Sequence, residues 1–232
     1  MNQTVRAILA SLALPLAGFA FTPALAQDAT RESCPADAAR CASEIELGRL
    51  ESRAAPSGSE VLVVQVGAGN RAEITAPNPD QLAVLEQRGD ANTATLDLAA
   101  SAGVELDLFQ SGDENTASFV LANPAVSFAG VTASQVGGAN RIEVTQRVAG
   151  AVFAGLTQIG EGNLASLNQE GENLSASLLQ QGDGNVLGVT QVGSDLGIDV
   201  SQVGNGLLAP FIEQIGAGVP GLPPVVIVQT GP

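Results

Sequence analysis

The sequence predicts an all-β fold, a β-solenoid of stacked strand-turn-strand coils, and two observations lead to this prediction. Glutamines recur at a nearly fixed spacing of eleven residues, and alternate copies match best, so the repeating unit is two arms of about 22 residues. Apolar and polar residues alternate with period two on both sides of each glutamine, as they do in β-strands. Units that repeat in this way pack on their neighbours and form one continuous core.

Seven coils follow from the glutamine positions. The gaps between coils are 22, 23 and 25 residues up to Gln135, and the unit then continues at a spacing close to 22. The first glutamines of the coils are Gln65, Gln87, Gln110, Gln135, Gln158, Gln180 and Gln202, and those of the second arms are Gln146, Gln169 and Gln191.

Each coil contains a turn with a glycine two residues after the first glutamine and, in six of the seven coils, an asparagine five residues after it. Both residue types tolerate left-handed backbone conformations, which tight turns require. The turn glycines are Gly67, Gly89, Gly112, Gly137, Gly160, Gly182 and Gly204. The asparagines are Asn70, Asn92, Asn115, Asn140, Asn163 and Asn185, and the seventh coil has Leu207 instead.

Stacking the coils about 4.8 Å apart would align equivalent residues in columns. The aliphatic positions two residues before and seven and nine residues after each first glutamine are predicted to face inward, and in the seventh coil the last of these is Phe211. Columns of identical amides can hydrogen-bond from coil to coil, which satisfies groups that cost roughly 1–3 kcal/mol each when buried alone. The glutamines and asparagines are therefore predicted to form structural ladders.

The core Q-x-G-x-x-N-x-A, with a second glutamine eleven residues on, resembles the curlin repeat of bacterial curli fibre subunits. The best copies are QVGAGNRA (65–72), QIGEGNLA (158–165) and QQGDGNVL (180–187), and the resemblance spans residues 61–217. The chain departs from the pattern in its low aromatic content and in its second arms. There, Val148 replaces a glycine, Asn173 sits one place early, and Ala76, Leu98 and Leu121 replace glutamine.

The resemblance implies a secreted structural subunit, major or nucleating, of amyloid-like extracellular fibres that support adhesion and biofilm. It implies self-association, export through an outer-membrane secretion channel and a homologous partner subunit, with no cofactor and no catalytic equipment. A monomeric β-solenoid adhesin or binding module on the cell surface is the alternative. Irregularity between coils favours that alternative, and the first three coils are less regular than the fifth and sixth.

Residues 1–26 are predicted to be a secretory signal peptide. Arg6 precedes an apolar run of about 15 residues, and an A-x-A sequence predicts cleavage between Ala26 and Gln27. A transmembrane anchor fits less well, because the run contains Pro15 and a span needs about 20 residues. No later segment is apolar enough to span a bilayer, so the protein is expected to pass through the periplasm to the cell exterior.

Residues 27–60 form a non-repeat leader. Its composition between 36 and 55 favours a short helix or a disordered segment, and the resemblance implies that the secretion channel recognises it. Cys34 and Cys41 are the two cysteines of the chain. In an oxidising compartment a local disulfide is expected, which requires Cys34 to lie outside the helix, and intermolecular pairing is the alternative. A metal site is disfavoured because the chain has no histidine.

The tail, residues 218–232, is rich in proline, yet Val225–Gly231 repeats the phase of a strand followed by Q-x-G. This segment is predicted to begin an eighth coil. Its apolar edge would either pair with another chain or close the stack.

The acidic charge and the missing residue types argue against several classes of function. The chain has 24 acidic residues and 9 arginines with no lysine, and loss of Arg6 with the signal leaves 8 − 24 = −16. Nucleic-acid binding needs a basic surface and is disfavoured. Catalysis is disfavoured because histidine, lysine and tyrosine are missing. Acidic turn residues such as Asp90, Asp113, Glu161 and Asp183 could indicate calcium, but the period is 22 residues and not nine. Other coils have Ala68, Gly138 or Asn205 at the same turn position, which favours solvated surface charge.

Overall fold

The computed structural model describes residues 6–7, 51–52, 60–75, 81–98, 103–122, 129–209 and 211–231. These residues form fifteen strands and no helix, which confirms the predicted fold class. The strands are β1 (Arg6–Ala7), β2 (Glu51–Ser52), β3 (Glu60–Val66), β4 (Arg71–Thr75), β5 (Leu82–Arg88), β6 (Thr93–Asp97), β7 (Val104–Ser111), β8 (Thr116–Leu121), β9 (Ala129–Val136), β10 (Arg141–Ile159), β11 (Leu164–Gln181), β12 (Val186–Ser194), β13 (Gly197–Val203), β14 (Ile212–Ala217) and β15 (Val225–Thr230).

The strands form two parallel stacks. The A stack contains the strands that lead into the first glutamines: β1, β3, β5, β7, β9, the second halves of β10 and β11, β13 and β15. The B stack contains the strands that follow the turns: β2, β4, β6, β8, the first halves of β10 and β11, β12 and β14. One A strand and the B strand after it make a coil, so seven complete coils run from β3 to β14.

Successive coils stack in register, although the spacing between them varies from 22 to 27 residues. Gln87 pairs with Gln110 and Gln110 with Gln135, so the extra residues of these two coils lie in the connections between strands. The extra residue between Gln135 and Gln158 is instead a bulge within β10, between Ala149 and Val152. The longest spacing lies between Gln202 and Gln229, where the proline-containing tail connects β14 to β15. Strand pairing therefore preserves the phase of the repeat even where the sequence spacing changes.

The core is a single buried cluster that both stacks fill. In β7 the residues Val104, Leu106 and Leu108 are buried while the residues between them are more exposed, as period-two alternation requires. The position two residues before the first glutamine is buried in all seven coils, at Val63, Leu85, Leu108, Ala133, Leu156, Leu178 and Val200. A coil buries these side chains against the coils above and below it, so the stack is stabilised cooperatively.

The seventh coil differs from the prediction by one residue. Ile212, not Phe211, pairs with Val189 and packs against the core, and the side chain of Phe211 is 69% exposed. Pro210 lies just before these residues in the sequence, and a proline has no N–H to donate to a neighbouring strand. An extra residue at this point moves Phe211 out of the inward phase.

Most of the N-terminal predictions fall outside the described residues. The signal cleavage site at Ala26 and Gln27 and the cysteines Cys34 and Cys41 are among them. Glu51–Ser52 form a strand where the composition of residues 36–55 favoured a helix, so the helical prediction is wrong at these two residues. In the described part of the chain, no helix has the length and apolar character that a membrane span needs.

Candidate functional site

A continuous glutamine ladder runs along the A stack. The Nε2 of each glutamine donates a hydrogen bond to the Oε1 of the glutamine in the next coil, at 2.6–2.9 Å, from Gln65 through Gln87, Gln110, Gln135, Gln158, Gln180 and Gln202 to Gln229. The six inner members are fully buried. Each also donates to a backbone carbonyl of the B stack, as Gln180 does to Leu164 at 3.0 Å. The buried amide protons are thereby satisfied.

The asparagine ladder beside it runs in the opposite direction. The Nδ2 of Asn92 donates to the Oδ1 of Asn70 in the preceding coil at 3.0 Å, and the same contact recurs from Asn115, Asn140 and Asn163. Each of these Nδ2 atoms, and that of Asn70, also donates to a turn-glycine carbonyl in the following coil at 2.7–2.8 Å. Where Leu207 replaces asparagine, its backbone N–H still donates to the Oδ1 of Asn185. The turn is thus fixed to both neighbouring coils.

A second, shorter glutamine ladder occupies the B stack. It runs from Gln146 through Gln169 and Gln191 to Gln214, with each hydrogen bond at 2.8 Å. It begins at Gln146 because Leu121 holds the corresponding place in the preceding coil. Consequently the buried Oε1 of Gln146 has no hydrogen-bond partner among the described residues.

Sequence reasoning missed Gln214. A fixed step of eleven from Gln202 gives position 213, and the extra residue near Phe211 moves the glutamine to 214. The motif Q-I-G at 214–216 was the signal that could have identified it. Reasoning from the sequence also missed Gln81, a buried residue that donates to the carbonyl of Leu98.

The turn glycines touch the next coil through their backbones. All seven have positive φ, between 104° and 139°, and six of them face the glycine carbonyl of the following coil. A Cβ on Gly160 would lie 2.7 Å from the carbonyl carbon of Gly182 and closer still to its oxygen. Only glycine combines this backbone conformation with so close an approach.

Three turn aspartates accept hydrogen bonds, so the expectation of purely solvated charge is wrong for Asp90, Asp113 and Asp183. The Oδ1 of Asp90 accepts the backbone N–H of Ala68 in the preceding coil at 2.7 Å, and Asp183 accepts that of Glu161 at 2.9 Å. The Oδ1 of Asp113 accepts from Asp90 in the same way, and Asn205 provides this acceptor in the seventh coil. No group of three or more potential metal ligands is found within the described ranges.

The sequence comparisons agree with this geometry. The model of the curlin associated repeat matches residues 160–193 and again residues 171–204. The protein therefore carries curlin repeats. The two matches begin eleven residues apart, which is the spacing of the arms, and together they run from the turn of the fifth coil to the turn of the seventh. Searches of curated proteins and of solved structures gave no match.

The two ends of the solenoid are chemically different. The first glutamine ladder presents the Oε1 acceptor of Gln65 at the β3 end and the Nε2 donor of Gln229 at the β15 end. Several side chains near the second end are largely exposed, among them Ile215, Val225, Val226 and Val228. An apolar strand edge with unpaired backbone groups is a surface for pairing with another chain.

Proposed function

We propose that this protein is a secreted structural subunit of curli-like, amyloid-like fibres in the extracellular matrix, and that it grows them by adding identical solenoids end to end. The observation that carries the proposal is the opposite polarity of the two ends. The donor on Gln229 matches the acceptor on Gln65, so a second copy can continue the ladder in the same direction. Adhesion and biofilm support are the roles proposed for the fibre.

Templated pairing is the mechanism. An incoming coil finds parallel backbone groups and columns in the same phase, and it buries apolar side chains that stay exposed in the monomer. The export route proposed with it is signal cleavage after Ala26, passage through an outer-membrane channel and association with a homologous subunit. Signal cleavage rests on the A-x-A sequence, and the other two steps rest on the resemblance of the leader and repeats to curli subunits.

Purified protein, free of denaturant, is expected to form unbranched fibres over hours, with rising thioflavin fluorescence. Fibre diffraction should show a meridional spacing of about 4.8 Å, the distance between paired strands. Electron microscopy and sedimentation measure the outcome directly. A protein that stays monomeric at high concentration, with an intact β spectrum, would instead support the surface adhesin.

Assembly is expected to be faster in added salt and at a pH close to the sequence pI of about 4.1. After loss of the signal, stacking brings chains of net charge 8 − 24 = −16 together, and screening or neutralising these charges lowers their repulsion. The measurement is the thioflavin lag time across salt concentration and pH. Salt is the cleaner test, because it screens the charges without changing the pH. A lag that responds to neither would show that charge repulsion does not limit growth.

A further inference from the structure

Among the described residues, the solenoid has a very short coil, β1 and β2, before β3, and a single A strand, β15, after β14. At the first end, β1 pairs with β3 in the A stack and β2 pairs with β4 in the B stack, and β1 consists of Arg6–Ala7. These two residues belong to the predicted signal segment. At the opposite end, β15 is an A strand, and the described residues contain no B strand after it. Removal of residues 1–26 would leave a B strand without an A strand at one end and the reverse at the other.

We propose that β15 of one copy replaces β1 beside β3 of the next copy. β15 of the first copy and β2 of the second would then form one shared coil at every subunit junction. This inference rests on the proposed fibre function and specifies its interface. It assigns the leader segment around Glu51–Ser52 a place inside the fibre.

The position of β2 is in phase with the repeats. Ser52 pairs with Ile74, and Glu60 pairs with Leu82, so the step from β2 to β3 (60 − 52 = 8) equals the step from β4 to β5 (82 − 74 = 8). The sequence agrees, since R-L-E at 49–51 repeats the R-A-E at 71–73. R-I-E recurs at 141–143, at the start of another B strand. β2 therefore has both the spacing and the sequence of a B strand.

The hydrogen-bond ladder fixes the register of the junction. With Gln229 opposite Gln65 of the next copy, its Nε2 would donate to the Oε1 there, as every glutamine in the ladder does. In this register Ile227 lies opposite Val63, in the column that is buried throughout the stack. The turn residue Gly231 falls opposite Gly67, which continues the glycine column.

The outward faces of the two end strands also match. The outward positions one and three residues before the glutamine are both aliphatic in β3, at Leu62 and Val64, and in β15, at Val226 and Val228. Every A strand between β3 and β15 has a polar residue or glycine in at least one of these positions. Val226 and Val228 are 63% and 65% exposed. Docking in the proposed register places these four side chains side by side and covers apolar surface.

Cysteine cross-linking of two chains tests the shared coil. The secreted protein is used, with its N-terminus verified at Gln27 and with Cys34→Ser and Cys41→Ser as the common background. One chain carries Phe211→Cys, next to Ile212 of β14 and stacked over Gly188. The other carries either Glu51→Cys or Glu73→Cys, which lie in the same column on β2 and β4.

Paired residues in adjacent strands lie about 5 Å apart, within disulfide reach, whereas residues two strands apart are about 10 Å away and cannot be bridged. The shared coil places β2 of the second copy between β14 of the first copy and β4 of the second copy. Fibres mixed from Phe211→Cys and Glu51→Cys chains should therefore give covalent dimers on oxidation. Fibres with Glu73→Cys should give none.

A second pair tests β15 against β3. Val226→Cys should cross-link to Leu62→Cys of another chain, and Val228→Cys, which is shifted by two residues, should not. Fibres that cross-link through Glu73→Cys and not through Glu51→Cys would overturn the shared coil and leave the fibre function standing. Chains that neither cross-link nor form fibres would overturn both proposals.

Discussion

Gly160→Ala is expected to destabilise the solenoid severely, by about 3 kcal/mol or more, whereas Gly162→Ala two residues away should cost about 1 kcal/mol. Gly160 has φ +123°, and a Cβ there would collide with the backbone carbonyl of Gly182 in the next coil. The carbonyl is part of the stacked backbone and cannot rotate away as a side chain would. The clash therefore separates two coils.

Gly162 is a matched control for this effect. It also has positive φ, but nothing lies within 4 Å of the position where its Cβ would be. The chain itself accepts alanine at the same turn position, at Ala91 and Ala139, which have φ of 56° and 54°. The two variants thus add the same methyl group to the same turn, but only Gly160→Ala combines a φ of 123°, which alanine does not tolerate, with contact against the next coil.

The comparison is made by urea unfolding of the monomer and by the seeded elongation rate of fibres. Gly160→Ala should lower the unfolding midpoint strongly and slow elongation, while Gly162→Ala stays close to the parent. Equal effects of the two substitutions would show that neither the φ of Gly160 nor the approach of the next coil makes this glycine necessary.

The period of the repeat predicted most of this architecture. The spacing of the glutamines places the A strands, and the alternation of residues such as Leu106 and Leu108 identifies the inward face. Both are local properties that stacking only reinforces. Counting in fixed steps failed where the chain has an extra residue near Phe211. That residue places Phe211 outward and moves the glutamine of the second ladder to Gln214. The register is set by strand pairing and not by residue number.

Contacts between coils were harder to predict. The carboxylate of Asp183 accepts the N–H of Glu161, and the two residues are 22 positions apart, so neither turn alone reveals the bond. The opposite directions of the glutamine and asparagine ladders also have no signature in the sequence. Each amide can donate and accept in either direction, and the choice depends on which backbone carbonyl lies within reach.

Gln180→Ala is the second substitution expected to have a large effect. Gln180 is fully buried, donates to Gln202 and to the carbonyl of Leu164, and accepts from Gln158 at 2.8 Å. Truncation deprives one donor and two acceptors of a partner, at about 1–3 kcal/mol for each group, and leaves a cavity. The free energy of unfolding should therefore fall by roughly 3–6 kcal/mol, which is the lower part of the range that three such groups give together. Fibre elongation should slow strongly, and Asn185→Ala should behave in the same way.

Two exposed positions in the neighbouring turns serve as controls. Glu161→Ala removes surface charge while its backbone N–H can still donate to Asp183. Asp183→Ala removes charge and also that one acceptor, a loss of about 1 kcal/mol at an exposed site. Elongation should be equal or faster for Glu161→Ala, because repulsion between stacked chains falls. For Asp183→Ala the lower repulsion offsets the lost hydrogen bond, so the rate should stay near that of the parent.

Gln180→Leu separates the amide from the volume that it fills. Leucine is close to glutamine in size, and Leu121 already stands beside Gln146 in the second ladder, so the site should accept the shape. Because the lost amide still leaves Gln158, Gln202 and Leu164 short of a partner, Gln180→Leu should remain clearly less stable than the parent, although more stable than Gln180→Ala. Elongation rates at matched monomer concentration, together with urea midpoints, give the ranking.

If Gln180→Leu equals the parent, packing and not the amide ladder holds the coils together. If Asp183→Ala is the most damaging change, the turn acids carry the stacking, as they would in a calcium-binding roll.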